Sequence, residues 1–286
     1  MQALGFIFVL LAGIGFGFLG IFGRLAFQSG LSVGELLTFR FTLAALLLAA
    51  GLAVYKPALL KLPLKQVLIS AALGIFGYAV FSTLYFKSIE GISVPLAALL
   101  LFTFPLFVNL GSHFILKERM TRLQILSLLI ACVGLGILLW GPLVVESFTA
   151  VIFGITAAVT YSIYVLVSGR VQKNVHPLSS SLYVIASSAL ALFCFHQPDF
   201  AKVTTLSTHQ MLIIAGIALF STIGPLALFL AGLQRLSSSK ASIVVMIEPV
   251  VATAAACLLL NENLTATQLF GSLLVMISLA MTAVNS

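Results

Sequence analysis

Residues 96–140, LAALLLFTFPLFVNLGSHFILKERMTRLQILSLLIACVGLGILLW, and residues 240–284, KASIVVMIEPVVATAAACLLLNENLTATQLFGSLLVMISLAMTAV, decide the fold of this chain. In the first, Pro105 interrupts an apolar run, a charged turn follows at Leu116–Arg119, and Gln124 opens another apolar run. In the second, Pro249, the turn Leu260–Asn263 and Gln268 recur at a constant offset of 144 residues. Pro105 thus matches Pro249, Glu118 matches Glu262, and Gln124 matches Gln268. Charge is what differs, because Lys117, Arg119 and Arg122 become Asn261, Asn263 and Ala266. One unit is used twice, once with basic flanks and once without.

Hydrophobic residues make up 61% of the chain and charged residues 7%, against roughly a quarter charged in soluble domains. Apolar stretches of about 20 residues, the length of a membrane-crossing helix, recur throughout. Backbone groups in lipid must be paired internally, which leaves helices or a closed barrel. Runs such as Leu43–Ala50 lack the period-two alternation of a barrel strand. The class is therefore an all-α polytopic membrane protein. A net charge of +7 speaks for nucleic acid in a soluble protein, but here the basic residues sit in short connections, and topology accounts for them. No nucleic-acid partner is expected. Cys132, Cys194 and Cys257 lie inside apolar spans without metal-ligand spacing and read as small buried hydrophobes. Neither metal nor cofactor is expected, nor is a cleavable signal peptide, since the N-terminal tail lacks basic residues.

Ten spans are predicted, at approximately 5–23, 33–54, 66–86, 93–115, 121–140, 148–168, 178–196, 209–231, 239–260 and 265–284. With ten spans, both termini share one side. The connections on that side carry ten basic residues: Lys56, Lys61, Lys65, Lys117, Arg119, Arg122, Arg170, Lys173, Arg235 and Lys240. The opposite connections carry three, Arg24, Lys87 and Lys202. The positive-inside rule makes the termini cytoplasmic, in a bacterial inner membrane.

The repeat extends further. Gly23-Arg24 aligns with Gly169-Arg170, and Gln66-Val-Leu-Ile with Gln210-Met-Leu-Ile. Two units result, residues 1–145 and 146–286, of five spans each. Five is odd, so the second unit crosses in the opposite direction, and the stripped turn after span 9 faces outward. Inverted repeats of this kind build many secondary transporters, with the substrate site near the bilayer midplane.

The sequence from Ala241 to Val250 (ASIVVMIEPV), the turn Leu258–Thr265 and Gln268-Leu-Phe-Gly271 resemble the EamA-type repeat of the drug/metabolite transporter superfamily. Arg40-Phe-Thr-Leu-Ala44 is similar to that family's first repeat. The resemblance covers nearly the full length and implies a ten-helix exporter or exchanger of small metabolites. Its cavity would be lined mainly by spans 1, 3, 4, 6, 8 and 9. In size and plain loops the chain looks nearest to bacterial amino-acid exporters, including those for aromatic amino acids.

Glu248 lies about ten positions into span 9, where an ionised carboxylate is expensive. It reads as a proton carrier or a partner for a substrate ammonium, or else as a structural residue fixing the Pro249 region. Arg40 sits about 10 Å inside span 2, at ~1.5 Å per residue. Its two-pronged geometry suits a substrate carboxylate; the alternatives are snorkelling to the interface or a static ion pair with Glu248. Pro105 and Pro249 release the carbonyls of Leu101 and Val245 and weaken their helices, as a hinge or binding site requires. Tyr78, Ser82 and Tyr85 share one helical face, and Tyr161, Tyr164 and Ser168 follow in span 6. Of these, Tyr78, Ser82 and Tyr161 are the cavity candidates, while Tyr85 and Tyr164 carry the signature of an interfacial belt. Trp140 and His113 read as interfacial, and Gly13, Gly15, Gly17, Gly20 and Gly23 as close packing rather than a dinucleotide loop. Pro225 is a weaker candidate. Asn263-Leu-Thr265 fits a glycosylation sequon.

Secondary transport explains the repeat, the proline pair and the buried carboxylate together, with a monomer sufficient. The alternatives are a facilitator or channel-like pore and an intramembrane enzyme, for which no catalytic constellation is found.

Overall fold

A computed structural model describes residues 2–118, 120–140, 145–260 and 264–284, the side chains of residues 200 and 260 aside. Ten apolar helical segments are formed: α1 (Gln2–Gln28), α2 (Val33–Tyr55), α3 (Leu64–Ile89), α4 (Val94–Phe114), α5 (Arg122–Leu138), α6 (Phe148–Val171), α7 (Pro177–His196), α8 (Thr208–Leu233), α9 (Ser238–Leu259) and α10 (Ala266–Val284). Among the described residues nine are at least 18 residues long and apolar enough to cross a membrane; α5, with 17 residues, is the shortest. That is still at the lower limit of a spanning helix. Arg119, Asn261, Glu262 and Asn263 lie outside the described residues, so the charge contrast between the two turns and the sequon rest on sequence alone.

The recurring glutamine has a local cause. Thr121 accepts a hydrogen bond from the Gln124 backbone N–H, and the Gln124 side chain accepts from the Thr121 N–H. Thr265 and Gln268 repeat this exchange at the start of α10. Each is a capping box that satisfies otherwise orphaned donors at a helix start. The same box starts α2 (Ser32, Glu35) and α8 (Ser207, Gln210).

Equivalent helices of the two repeats run antiparallel. Ser278 near the end of α10 donates its hydroxyl to the Ser127 carbonyl near the start of α5 (2.8 Å). Gly134 and Gly271 meet further along, where a Cβ on Gly271 would lie 2.7 Å from the Gly134 carbonyl oxygen. Adding 144 to Ser127 gives Gly271, and subtracting it from Ser278 gives Gly134, so exchanging the repeats turns one contact into the other. Both repeats thus form an inverted five-helix pair. The centre is buried, while large apolar side chains such as Leu46, Phe76, Leu129 and Leu212 point outward, the arrangement that lipid rewards.

Four helices are interrupted in matching pairs, and α1 is broken besides at Phe18, without a counterpart in α6. α3 contains a π-helical stretch at Leu73–Ala79 and α8 one at Leu219–Ile223. The wide turns leave carbonyls that side chains take up: Ser188 donates to the Gly74 carbonyl (3.0 Å) and Thr222 to that of Ile217 (3.0 Å). α4 breaks at Phe102–Thr103 before Pro105, and α9 tightens into a 3-10 turn at Val245–Ile247 before Pro249. The expected free carbonyl at Val245 is not free. The 3-10 turn lets the Glu248 N–H reach it, since i→i+3 bonding replaces the donor that proline lacks.

Candidate functional site

The interruptions of α3 and α4 are joined through α6, while those of α8 and α9 lie against α1. Tyr78, inside the π stretch of α3, is buried and makes edge contacts with Phe41 of α2 (5.4 Å between centroids), Phe81 (4.9 Å) and Tyr164 of α6 (5.5 Å). Tyr161 packs on Phe81 at 4.6 Å and on Phe104 at 4.7 Å, and lies parallel to Tyr164 at 5.9 Å. Phe104 begins the second half of α4 after its break. Ser82 is buried one turn beyond Tyr78. The structure therefore brings Tyr78 and Tyr161 into one aromatic wall built from α2, α3, α4 and α6. Tyr164 is a correction: only 1% of it is exposed, and it belongs to this wall rather than to an interfacial belt. Trp140, by contrast, is exposed, as a belt residue is.

Arg40 is 2% exposed. Its guanidinium carbon stands 4.6 Å from the Phe41 ring centroid, a cation–π contact. Its Nε and Nη1 have no hydrogen-bond partner among the described residues. The side chain does not snorkel, and the ion pair with Glu248 is absent among the described residues. Unmet donors on a buried cation are costly.

Glu248 is the first residue of the α-helical stretch Glu248–Leu260, directly after the 3-10 turn. There the helix dipole favours negative charge. Its side chain is partly exposed and takes no hydrogen bond or ion pair among the described residues. Tyr78 is electrostatically coupled to both Arg40 and Glu248. Pro105 and Pro249 are both buried. Asn109, not singled out in the sequence, donates to the Pro105 carbonyl (2.6 Å) and to the Ser242 hydroxyl (3.5 Å), tying α4 to α9.

The glycines of α1 face the other side of the centre. A Cβ on Gly17 would lie 2.8 Å from the Glu248 carbonyl oxygen, and one on Gly15 would lie 2.9 Å from that of Phe220 and collide with Pro225. A Cβ on Gly20 or Gly23 would meet nothing within 4 Å, so the requirement for a bare backbone stops at Gly17. Among the described residues no group of three His, Cys, Asp or Glu side chains is placed to hold a metal.

Two antiparallel five-helix repeats, with helices broken at matching points around a buried centre, define an integral membrane transporter architecture. The EamA-like transporter family matches residues 3–140 and again 148–284, and the chain belongs to that family. An uncharacterized transporter of Clostridium kluyveri is 24% identical over 285 residues, covering 96% of this chain and 91% of the relative. The uncharacterized transporter YcbK of Bacillus subtilis is 25% identical over 279 residues, covering 94% and 89%. A protein crystal structure superposes with a TM-score of 0.78 at 17% identity, covering 97% of this chain and 95% of that one; it speaks for the fold alone.

Proposed function

We propose that the chain exports amino acids, aromatic ones among them, across a bacterial inner membrane by alternating access. One observation carries this reading: Arg40 and Glu248 each lack a hydrogen-bond or ion-pair partner among the described residues, and both are electrostatically coupled to Tyr78 within an aromatic wall. An α-amino acid presents a carboxylate to the one and an ammonium to the other, and a ring or alkyl side chain to Tyr161 and Phe104. Arg40 can grip a carboxylate through two N–H groups. Glu248 doubles as the proton carrier, because the ammonium and a proton compete for the same carboxylate. Ser82 and Tyr78 add hydroxyls beside it.

In this reading residues 1–145 and 146–286 are the two bodies that rock. Pro105 and Pro249 are the hinges, the termini are cytoplasmic, and a monomer suffices. Proteoliposomes loaded with radiolabelled amino acids, assayed with and without a pH gradient, test it. Saturable flux, stimulated by amino acid on the opposite side, is expected. Non-saturable flux without counter-stimulation would point to a pore instead, and no flux of any amino acid would overturn the substrate assignment.

A further inference from the structure

Away from the central site, a cavity of about 620 Å³ opens where α6 passes into α7 and lies against the end of α8. Its polar rim is formed by Lys173 and His176 of the α6–α7 connection and by Arg235, just beyond α8. Its other wall is apolar, with Leu178, Leu228 and Ala231 running along α7 and α8. The cavity lies on the side of the N-terminus, because Arg235 packs against Gly5 and its guanidinium stands 5.1 Å from the Phe8 ring. A basic rim at helix ends above an apolar wall has the polar-to-apolar order of a lipid, headgroup above and chain below.

The charges are unspent. Arg235 uses Nη1 on the Ala231 carbonyl (2.7 Å), which leaves most of its five N–H donors available. Neither Arg235 nor Lys173 pairs with a carboxylate among the described residues, and no acidic side chain lines the cavity. His176 accepts the Leu178 N–H at Nδ1 (3.3 Å), so its Nε2 carries the proton and is a further donor. We propose that this cavity binds an anionic phospholipid, the phosphate held by Arg235, Lys173 and His176 and an acyl chain lying along Leu228 and Ala231. Basic pockets between helices at a membrane surface take up such headgroups. Inorganic phosphate shares the headgroup chemistry but has nothing to place on the apolar wall.

Native mass spectrometry of the full-length protein with phosphatidylglycerol or phosphatidylcholine tests this. The wild type is expected to retain phosphatidylglycerol preferentially, and Lys173→Gln/Arg235→Gln to lose that preference, on the order of fivefold for each basic group removed. Ala231→Leu keeps the charges but fills the slot, and is expected to reduce phosphatidylglycerol retention as well; it serves alone if the double variant does not fold. Lys56→Gln/Lys61→Gln, a charge-matched change of exposed lysines outside the cavity, is expected to retain the preference. The proposal fails if the wild type shows no preference, if the cavity variants keep it, or if the Lys56/Lys61 variant loses it equally. It also fails if inorganic phosphate at millimolar concentration displaces the lipid, since the site would then be one for a soluble anion.

Discussion

Around Tyr161, α6 meets α3 and α4 through aromatic rings; around Gly15, the corresponding part of α1 meets α8 and α9 through nearly bare backbone. The two regions are equivalent by the repeat. The Gly23-Arg24 alignment carries Gly15 onto Tyr161, and the offset of 144 carries Phe81 onto Pro225 and Phe104 onto Glu248. Where Tyr161 touches Phe81 and Phe104, Gly15 closes on Pro225 and Gly17 on the Glu248 backbone. One half fills its interface with aromatic side chains. The other removes them, which brings the α9 break and its carboxylate against α1. An inverted pair need not carry a symmetric site, and this asymmetry puts a ring wall opposite a charge.

The sharpest way to break the comparison is to neutralise the charge. Glu248→Gln is expected to abolish stimulation by a pH gradient while leaving exchange of amino acid for amino acid, measured as counterflow in liposomes. A variant still driven by the gradient removes Glu248 as proton carrier. Next, Arg40→Gln should raise KM by about tenfold or more, since hydrogen bonds to a charged group are worth about 1.5–3 kcal/mol. An unchanged KM would make Arg40 structural. Third, Gly17→Val should destabilise by about 1–3 kcal/mol through overpacking, read as a lower melting temperature in detergent, whereas Gly20→Val meets no neighbour and escapes this clash. Equal losses in both would mean that the glycine interface does not matter. The smallest effect belongs to the aromatic wall. Tyr161→Leu should weaken aromatic over aliphatic substrates by the roughly 0.5–1.5 kcal/mol of a ring pair, about two- to twelvefold in relative KM.

The ten helices and their antiparallel repeat were legible because apolar length and the internal recurrence encode them directly. The Pro–Gln repeat was legible as a pattern, but not in its meaning. Gln124 and Gln268 mark the start of an apolar run in the sequence, and the Thr121 and Thr265 hydrogen bonds show that their job is helix capping. Tyr164 was misread because its distance from the helix end resembles that of a belt residue; only the fold of α6 against Gly77 reveals that it points inward. Nor does sequence disclose that Glu248 begins a new helical stretch, since a proline marks a weak point without saying how the turn before it is closed. That Arg40 forms no ion pair with Glu248 depends on where α2 stands relative to α9, a tertiary fact with no local trace.

The paired π stretches carry a geometric consequence of their own. Each wide turn holds one surplus residue relative to an α-helix. Moving that surplus along the chain rotates the residues it passes by about 100°, one step of a 3.6-residue turn, while exchanging only a few backbone bonds. Tyr78 lies inside the stretch in α3, and Ser221 and Thr222 lie inside its counterpart in α8. A shift of one position would swing Tyr78 away from Tyr164 and Phe41 without displacing either end of α3, a swivel inside the helix that carries the middle of the aromatic wall.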